Sequence, residues 1–82
     1  MRRNDLDICA DILNLAQNGA IKTQLVYKAN LNFAIVKKYI KRLGDTELLT
    51  SINGYFLTTE KGKRFLQDYY ELVLPFSKNL SE

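Results

Sequence analysis

Residues 32–43 read Asn-Phe-Ala-Ile-Val-Lys-Lys-Tyr-Ile-Lys-Arg-Leu. At a helical period this stretch has two unlike faces. Val36, Ile40 and Leu43 fall on one stripe, with Tyr39 beside it. Ala34, Lys37, Lys38 and Lys41 fall on the opposite stripe, with no acid inside the stretch to pair them. One face requires a core. The other offers cations around a small residue, which suits a helix lying in a nucleic-acid groove: small side chains toward bases, ammonium groups toward phosphates. The competing reading is a solvated face on an ordinary surface helix. The flanking sequence decides between them.

The 82 residues make one small domain with room for one modest core. The net charge is only +3, but it is unevenly spread. Between residues 12 and 44 there is no Asp or Glu, while the span holds Lys22, Lys28, Lys37, Lys38, Lys41 and Arg42. Such asymmetry implies a polyanionic partner. With one cysteine, Cys9, and no histidine, the usual zinc sites and the Ser-His and Cys-His catalytic arrangements are excluded. Cys9 sits in an apolar helical pattern and reads as a buried structural thiol. No cofactor is expected. No apolar run reaches the ~20 residues a bilayer requires, and the basic start, Met-Arg-Arg-Asn-Asp, leads into no signal-peptide block. The expectation is a cytoplasmic, non-enzymatic protein with no membrane partner.

Taken in order, Asn4 or Asp5 caps a first helix over 4–18, which Asn18-Gly19 ends. Its apolar residues Leu6, Ile8, Cys9, Ile12, Leu13, Leu15 and Ala16 cover more than one face, so it is either sandwiched in the domain or shared with a partner chain. Residues 20–22 suit a short edge strand. Thr23 reads as the cap of a helix over 23–29. Asn30 tolerates the left-handed turn, Leu31 anchors it, and Asn32 caps the helix over 32–43, which Gly44 ends. This is helix-turn-helix order, held by apolar positions 25, 26, 29, 31, 36, 39 and 40. A hairpin over 48–58 follows, with Asn53-Gly54 as its type I′ turn. The last helix is expected over 59–74, with Pro75 kinking or stopping it. The fold class is α+β, mainly α: a winged helix-turn-helix with a C-terminal dimerisation helix.

The last helix carries more apolar surface than a small core can cover. Leu66, Tyr69, Val73, Phe76 and Leu80 step by three and four like coiled-coil positions. A homodimer is expected, with Leu66, Tyr69, Tyr70, Val73 and Phe76 at its interface.

Three segments then stand together: Val-Tyr-Lys-Ala-Asn-Leu-Asn-Phe at 26–33, Lys-Tyr-Ile-Lys-Arg-Leu at 38–43, and Gly-Tyr-Phe-Leu-Thr-Thr-Glu-Lys-Gly at 54–62. In these the chain resembles the small archaeal winged-helix DNA-binding proteins of about ten kilodaltons, which include dimeric chromatin-associated proteins and transcriptional regulators. The resemblance implies a homodimer formed through the last helix as an antiparallel coiled coil, and duplex DNA binding without catalysis. By position, 32–43 is the recognition helix and Asn53-Gly54 the wing turn. The chain departs from the pattern in its short tail with Pro75 and in a wing that lacks Lys and Arg.

The candidate DNA contacts follow from both readings. Lys22, Lys37, Lys38 and Lys41 face phosphates, with Lys61 reaching one from the start of the last helix. Asn32, Phe33 and Ala34 meet base edges, where Asn bonds adenine and Phe or Ala touches a thymine methyl. Ser51 and Asn53 are what the wing can offer. The expected function is a DNA-binding regulator acting through the major groove. The alternatives are a non-specific architectural or chromatin protein, and a winged-helix protein-interaction module.

Overall fold

The structure, a computed structural model, describes residues 4–80, with side chains described through Pro75. Six elements follow one another: α1 (Asp5–Leu15), α2 (Lys22–Ala29), α3 (Phe33–Asp45), β1 (Leu49–Ile52), β2 (Tyr55–Thr58) and α4 (Glu60–Leu80). Ile12, Leu13, Leu25, Val36 and Leu43 are the largest fully buried side chains, and α1 is packed between α2, β2 and α4. Of the seven apolar positions of the helix-turn-helix, six lie in this core or against it, and the seventh, Ala29, is buried as well. Cys9 is buried as a free thiol, and burial raises its pKa.

Each terminus has its own chemistry. Asn4 Oδ1 accepts from Asp7 N–H at 2.8 Å while Asp7 Oδ2 accepts from Asn4 N–H at 3.2 Å, a reciprocal capping box for α1. The helix stops at Leu15, short of the expected residue 18, and residues 16–18 form the turn that leads to Gly19 at φ 91°. Ala20 does pair as an edge segment, exchanging two backbone hydrogen bonds with Phe56 at 2.9 and 2.7 Å. Lys22, however, belongs to α2. Thr23 is therefore not a cap: Ile21 precedes the helix, and Gln24 Oε1 accepts from Ile21 N–H at 3.1 Å.

The turn between α2 and α3 is closed by Asn30 in the left-handed conformation, φ 57°. Leu31 N–H returns to Val26 O and Asn30 N–H to Tyr27 O, the paired bonds of a Schellman motif. Asn32 then caps α3, its Oδ1 accepting from Ile35 N–H at 2.8 Å.

Gly44 does not end α3, contrary to expectation. The helix continues to Asp45, and Glu47 takes the left-handed position at φ 63°. Leu48 N–H bonds Leu43 O at 2.9 Å and Glu47 N–H bonds Gly44 O at 3.0 Å, a second Schellman motif. The stop is placed by Leu48, which folds back toward the core, and not by the glycine. The Thr46 hydroxyl donates to the carbonyls of Arg42 and Leu43 in the same turn.

β1 and β2 pair antiparallel, Leu49 opposite Thr58 and Ile52 opposite Tyr55, around Asn53 and Gly54, both with positive φ. Buried Thr58 donates to Leu13 O, tying the hairpin to α1. Thr59 Oγ1 accepts from Gly62 N–H at 3.0 Å and donates to Glu47 O at 2.7 Å, so one hydroxyl caps α4 and holds the end of the α3 turn. α4 runs through Pro75 to Leu80 rather than stopping there. The carbonyl that loses its partner is that of Glu71, an exposed residue, so water can satisfy it. No helix among the described residues is long and apolar enough to cross a membrane.

Candidate nucleic-acid interface

α3 buries Val36, Tyr39 and Leu43, packs half-buried Ile40 against the same core, and turns the rest outward. Phe33, Ala34, Ile35, Lys37, Lys38 and Lys41 are all exposed on this one helix. Its acid-free face needs one correction. Asp45, one turn past Lys41, pairs with it at 3.3 Å, in an exposed (i, i+4) geometry that contributes only a few tenths of a kcal/mol. Sequence spacing alone could have revealed that partner. Lys37 and Lys38 keep their positions on the open face.

Arg42 is held elsewhere. Its guanidinium lies 3.6 Å from Asp5 and 5.6 Å from the centroid of the Tyr39 ring. The Tyr39 hydroxyl donates to the same carboxylate, and that bond, with Arg42 adding to it, holds the Asp5 carboxyl below the ordinary range. The first turn of α1 thus braces the C-terminal half of α3 from behind.

Asn32 also needs correction. Its Oδ1 is engaged by Ile35 N–H in the helix cap. A bidentate bond to adenine needs both the acceptor and the donor of the amide. Only Nδ2 remains available while the cap stands.

The other candidates sit on other elements. Lys22 is half-buried in the first turn of α2, and Lys61 is exposed in the first turn of α4. Ser51 and Asn53 are exposed on the hairpin. The hairpin packs next to α3: a shallow groove between them is lined by Ile40, Gly44, Leu49, Thr50, Ser51 and Phe56. Sequence reasoning missed the wing's real surface. Ile52 and Tyr55, cross-strand partners flanking the turn, are both exposed, and alternation along the two strands puts them on one face.

The expected dimer residues divide. Leu66 is 3% exposed and belongs to the core, so it is not free to meet a partner. Leu66 and Tyr69 of that stripe lie in or against the core, where α4 packs on α1 of the same chain. Tyr69 and Val73 are half-buried, and the Tyr69 hydroxyl donates to Asp7. That bond pushes the Tyr69 pKa up to about 12. Tyr70 is exposed and meets Tyr69 edge to face at 5.5 Å. The Phe76 side chain lies outside the described residues. Among the described residues of the helix, the most exposed large apolar side chains are Leu72 and Leu74, at 63% and 59%. With Leu6, Phe65 and Tyr69, Leu72 lines an apolar groove between α1 and α4.

Comparison with known proteins agrees with this architecture. The crystal structure of Sso10a-2, a DNA-binding protein from Sulfolobus solfataricus, superposes with a TM-score of 0.76 at 26% identity, over 96% of this chain and 86% of that one. Lactococcus lactis ZitR superposes with a TM-score of 0.70 at 22% identity, over 98% of this chain and 61% of that one, a likeness of fold. Among curated sequences, the uncharacterised protein MJ0287 of Methanocaldococcus jannaschii is 32% identical over 72 residues, which are 87% of this chain and 74% of that protein. The uncharacterised MJ0290 of the same organism is 29% identical over 79 residues, 92% of this chain, and the chain spans 37% of its length. A family model described as winged helix-turn-helix matches residues 2–74, and the chain belongs to that family.

Proposed function

We propose that this chain binds duplex DNA as a homodimer, with α3 in the major groove, and acts as a transcriptional regulator in the cytoplasm. One observation carries the reading. The second helix of the helix-turn-helix presents Lys37, Lys38 and Lys41 on an open face, braced from behind by the core and by Asp5. The likeness to Sso10a-2, a DNA-binding protein, supports it. Lys22 and Lys61 add phosphate contacts from the starts of α2 and α4, and Ser51 and Asn53 add polar groups from the wing. Leu72, with Tyr69, Tyr70 and Val73, supplies the apolar surface for the second copy.

The test is fluorescence anisotropy with random and selected duplexes across a range of salt. Lys22, Lys37, Lys38 and Lys41 give about eight phosphate contacts per dimer and a log–log salt slope near −7, and Lys61 in both copies would bring it to about −9. Lys37→Ala/Lys41→Ala flattens it by about two to four units. Tighter binding to selected sites supports a regulator, and equal binding supports an architectural, nucleoid-associated protein. The exposed, uncharged pair Ile52 and Tyr55 favours a second reading, a protein-docking module. That reading prevails if no duplex binds at low salt.

A further inference from the structure

Resting on the DNA reading of α3, we infer that this helix reads thymine C5-methyl groups through Phe33 and Ala34, so that its preferred duplex is defined by methyls in the major groove rather than by hydrogen bonds to base edges. From residue 32 to residue 41 the exposed side chains are Asn32, Phe33, Ala34, Ile35, Lys37, Lys38 and Lys41. The stretch contains no Ser, Thr, Gln, Asp or Glu. Its one amide is committed, since Asn32 Oδ1 holds the Ile35 N–H at 2.8 Å. Releasing it would leave the start of α3 uncapped, at a cost of about 1 kcal/mol.

What remains at the N-terminal end of the helix is apolar. Phe33 is 54% exposed, and Ala34 beside it is exposed too. Lys37 lies one turn along from Phe33, and Lys38 and Lys41 lie one and two turns along from Ala34, so the apolar end is followed by cations on the same side of the helix. The occupant therefore has to be a polyanion that offers small apolar groups between its charges. In the duplex major groove only the thymine methyl meets that description, because the other groups displayed there are hydrogen-bond donors and acceptors. The lysines suit phosphates as point charges. Ile35 projects from the other flank of α3 and its exposure is smaller, so it is left out of the contact.

The experiment uses the full chain and four duplexes of one length: an A·T duplex, the same duplex with uracil replacing thymine, a G·C duplex, and the same duplex with 5-methylcytosine. Uracil removes the methyl and leaves pairing intact, and 5-methylcytosine puts a methyl at the corresponding place in the groove. Each methyl packed against Phe33 or Ala34 contributes about fourfold in affinity. With one methyl on each of Phe33 and Ala34, the wild type should therefore lose on the order of fifteenfold per protomer on the uracil duplex, and gain on the methylated one. Phe33→Ala should lose Phe33's share of the discrimination and keep only the roughly fourfold share of Ala34, with an unchanged salt slope, and Phe33→Leu should keep more of it. Because Phe33 is exposed, neither substitution opens the core. Equal wild-type binding to thymine and uracil duplexes overturns the inference and leaves DNA binding standing. Equal loss on every duplex in Phe33→Ala also overturns it, making Phe33 a general contact. No binding to any duplex at low salt removes the DNA reading itself, and this inference with it.

Discussion

The Tyr39 hydroxyl donates to Asp5 Oδ1 at 2.5 Å, across 34 residues of sequence, and fixes the back of the helix whose front carries the lysines. This bond is the first cause of the lowered Asp5 pKa, with Arg42 adding to it, against an ordinary value of 3.8. A depressed carboxyl contributes stability that is present above its unfolded value and is lost as pH falls through its folded value. Tyr39→Phe should therefore unfold more readily than wild type at neutral pH, and the gap should shrink below pH 3.8. Urea melts of both proteins through the acid range check this. A gap that stays constant into strong acid would show that Asp5 is not the partner that matters.

The link between Tyr69 and Asp7 acts at the other end of the pH scale. Donation to the Asp7 carboxylate, with some burial, pushes the Tyr69 pKa from 10.0 up to about 12. A raised value means that the contribution is whole below about pH 10 and is lost as pH rises through about 12. Tyr69→Phe should cost up to about 1 kcal/mol at neutral pH. It should also lose the part of the alkaline decline that belongs to this group. Thermal melts of the two proteins between neutral pH and pH 12 read both effects.

Gly44 and Glu47 sit in each other's natural places. Gly44 is inside α3, where glycine is a poor helix former, and a Cβ there would meet nothing nearer than Leu49 O at 4.0 Å. Glu47 holds the left-handed conformation that glycine adopts without strain. Gly44→Ala and Glu47→Gly should each stabilise the fold by about 0.5–1 kcal/mol; because Glu47 N–H bonds Gly44 O in the same turn, the two changes should couple rather than simply add. Denaturant midpoints test this, and a destabilised Glu47→Gly would show that the side chain has a role the turn geometry does not require.

That exchange shows where the sequence was legible and where it was not. Asn53-Gly54 and Asn30 announce their turns because these residue types favour positive φ, and both turns are present. Glu47 carries no such signal, so Gly44 attracted the helix stop that Leu48 imposes. The Asn32 cap was readable, but its consequence for base reading was not, since one oxygen cannot be assigned to two tasks from spacing alone. The lysine face was legible as a stripe. The Asp5 brace was not, because it joins residues on separate helices through side chains. Leu66 failed for a related reason. A stripe at three and four residues is the same whether the helix it meets belongs to its own chain or to another.

Gly62 is required for a different reason from the other glycines. A Cβ there would lie 2.3 Å from Leu48 O and 2.6 Å from Thr58 Cγ2, where the start of α4 crosses the base of the hairpin. Backbone oxygen cannot rotate aside as a side chain would. Gly62→Ala should cost about 1–3 kcal/mol or more by forcing α4 away from β2, and it should loosen the Thr59 cap that the Gly62 N–H completes. A midpoint within about 0.5 kcal/mol of wild type would show that the crossing yields easily.

Leu72 separates the proposed dimer from the protomer's own packing. It is 63% exposed on α4 beside the groove that also contains Leu6 and Phe65, whereas Leu66 on the same helix is 3% exposed. Charging Leu72 should therefore remove association and leave the fold intact, while charging Leu66 should unfold the chain, because an unpaired charge in the core is costly. In sedimentation equilibrium the wild type should have twice the 9.5 kDa of one chain. Leu72→Asp should sediment at 9.5 kDa with an unchanged helical circular dichroism spectrum. If DNA is bound by two copies, the monomeric variant should also lose about half of the salt slope, because each protomer supplies half of the phosphate contacts. A wild type that sediments as one chain at tens of micromolar, with the full slope, would sink the dimer and assign every contact to a single protomer.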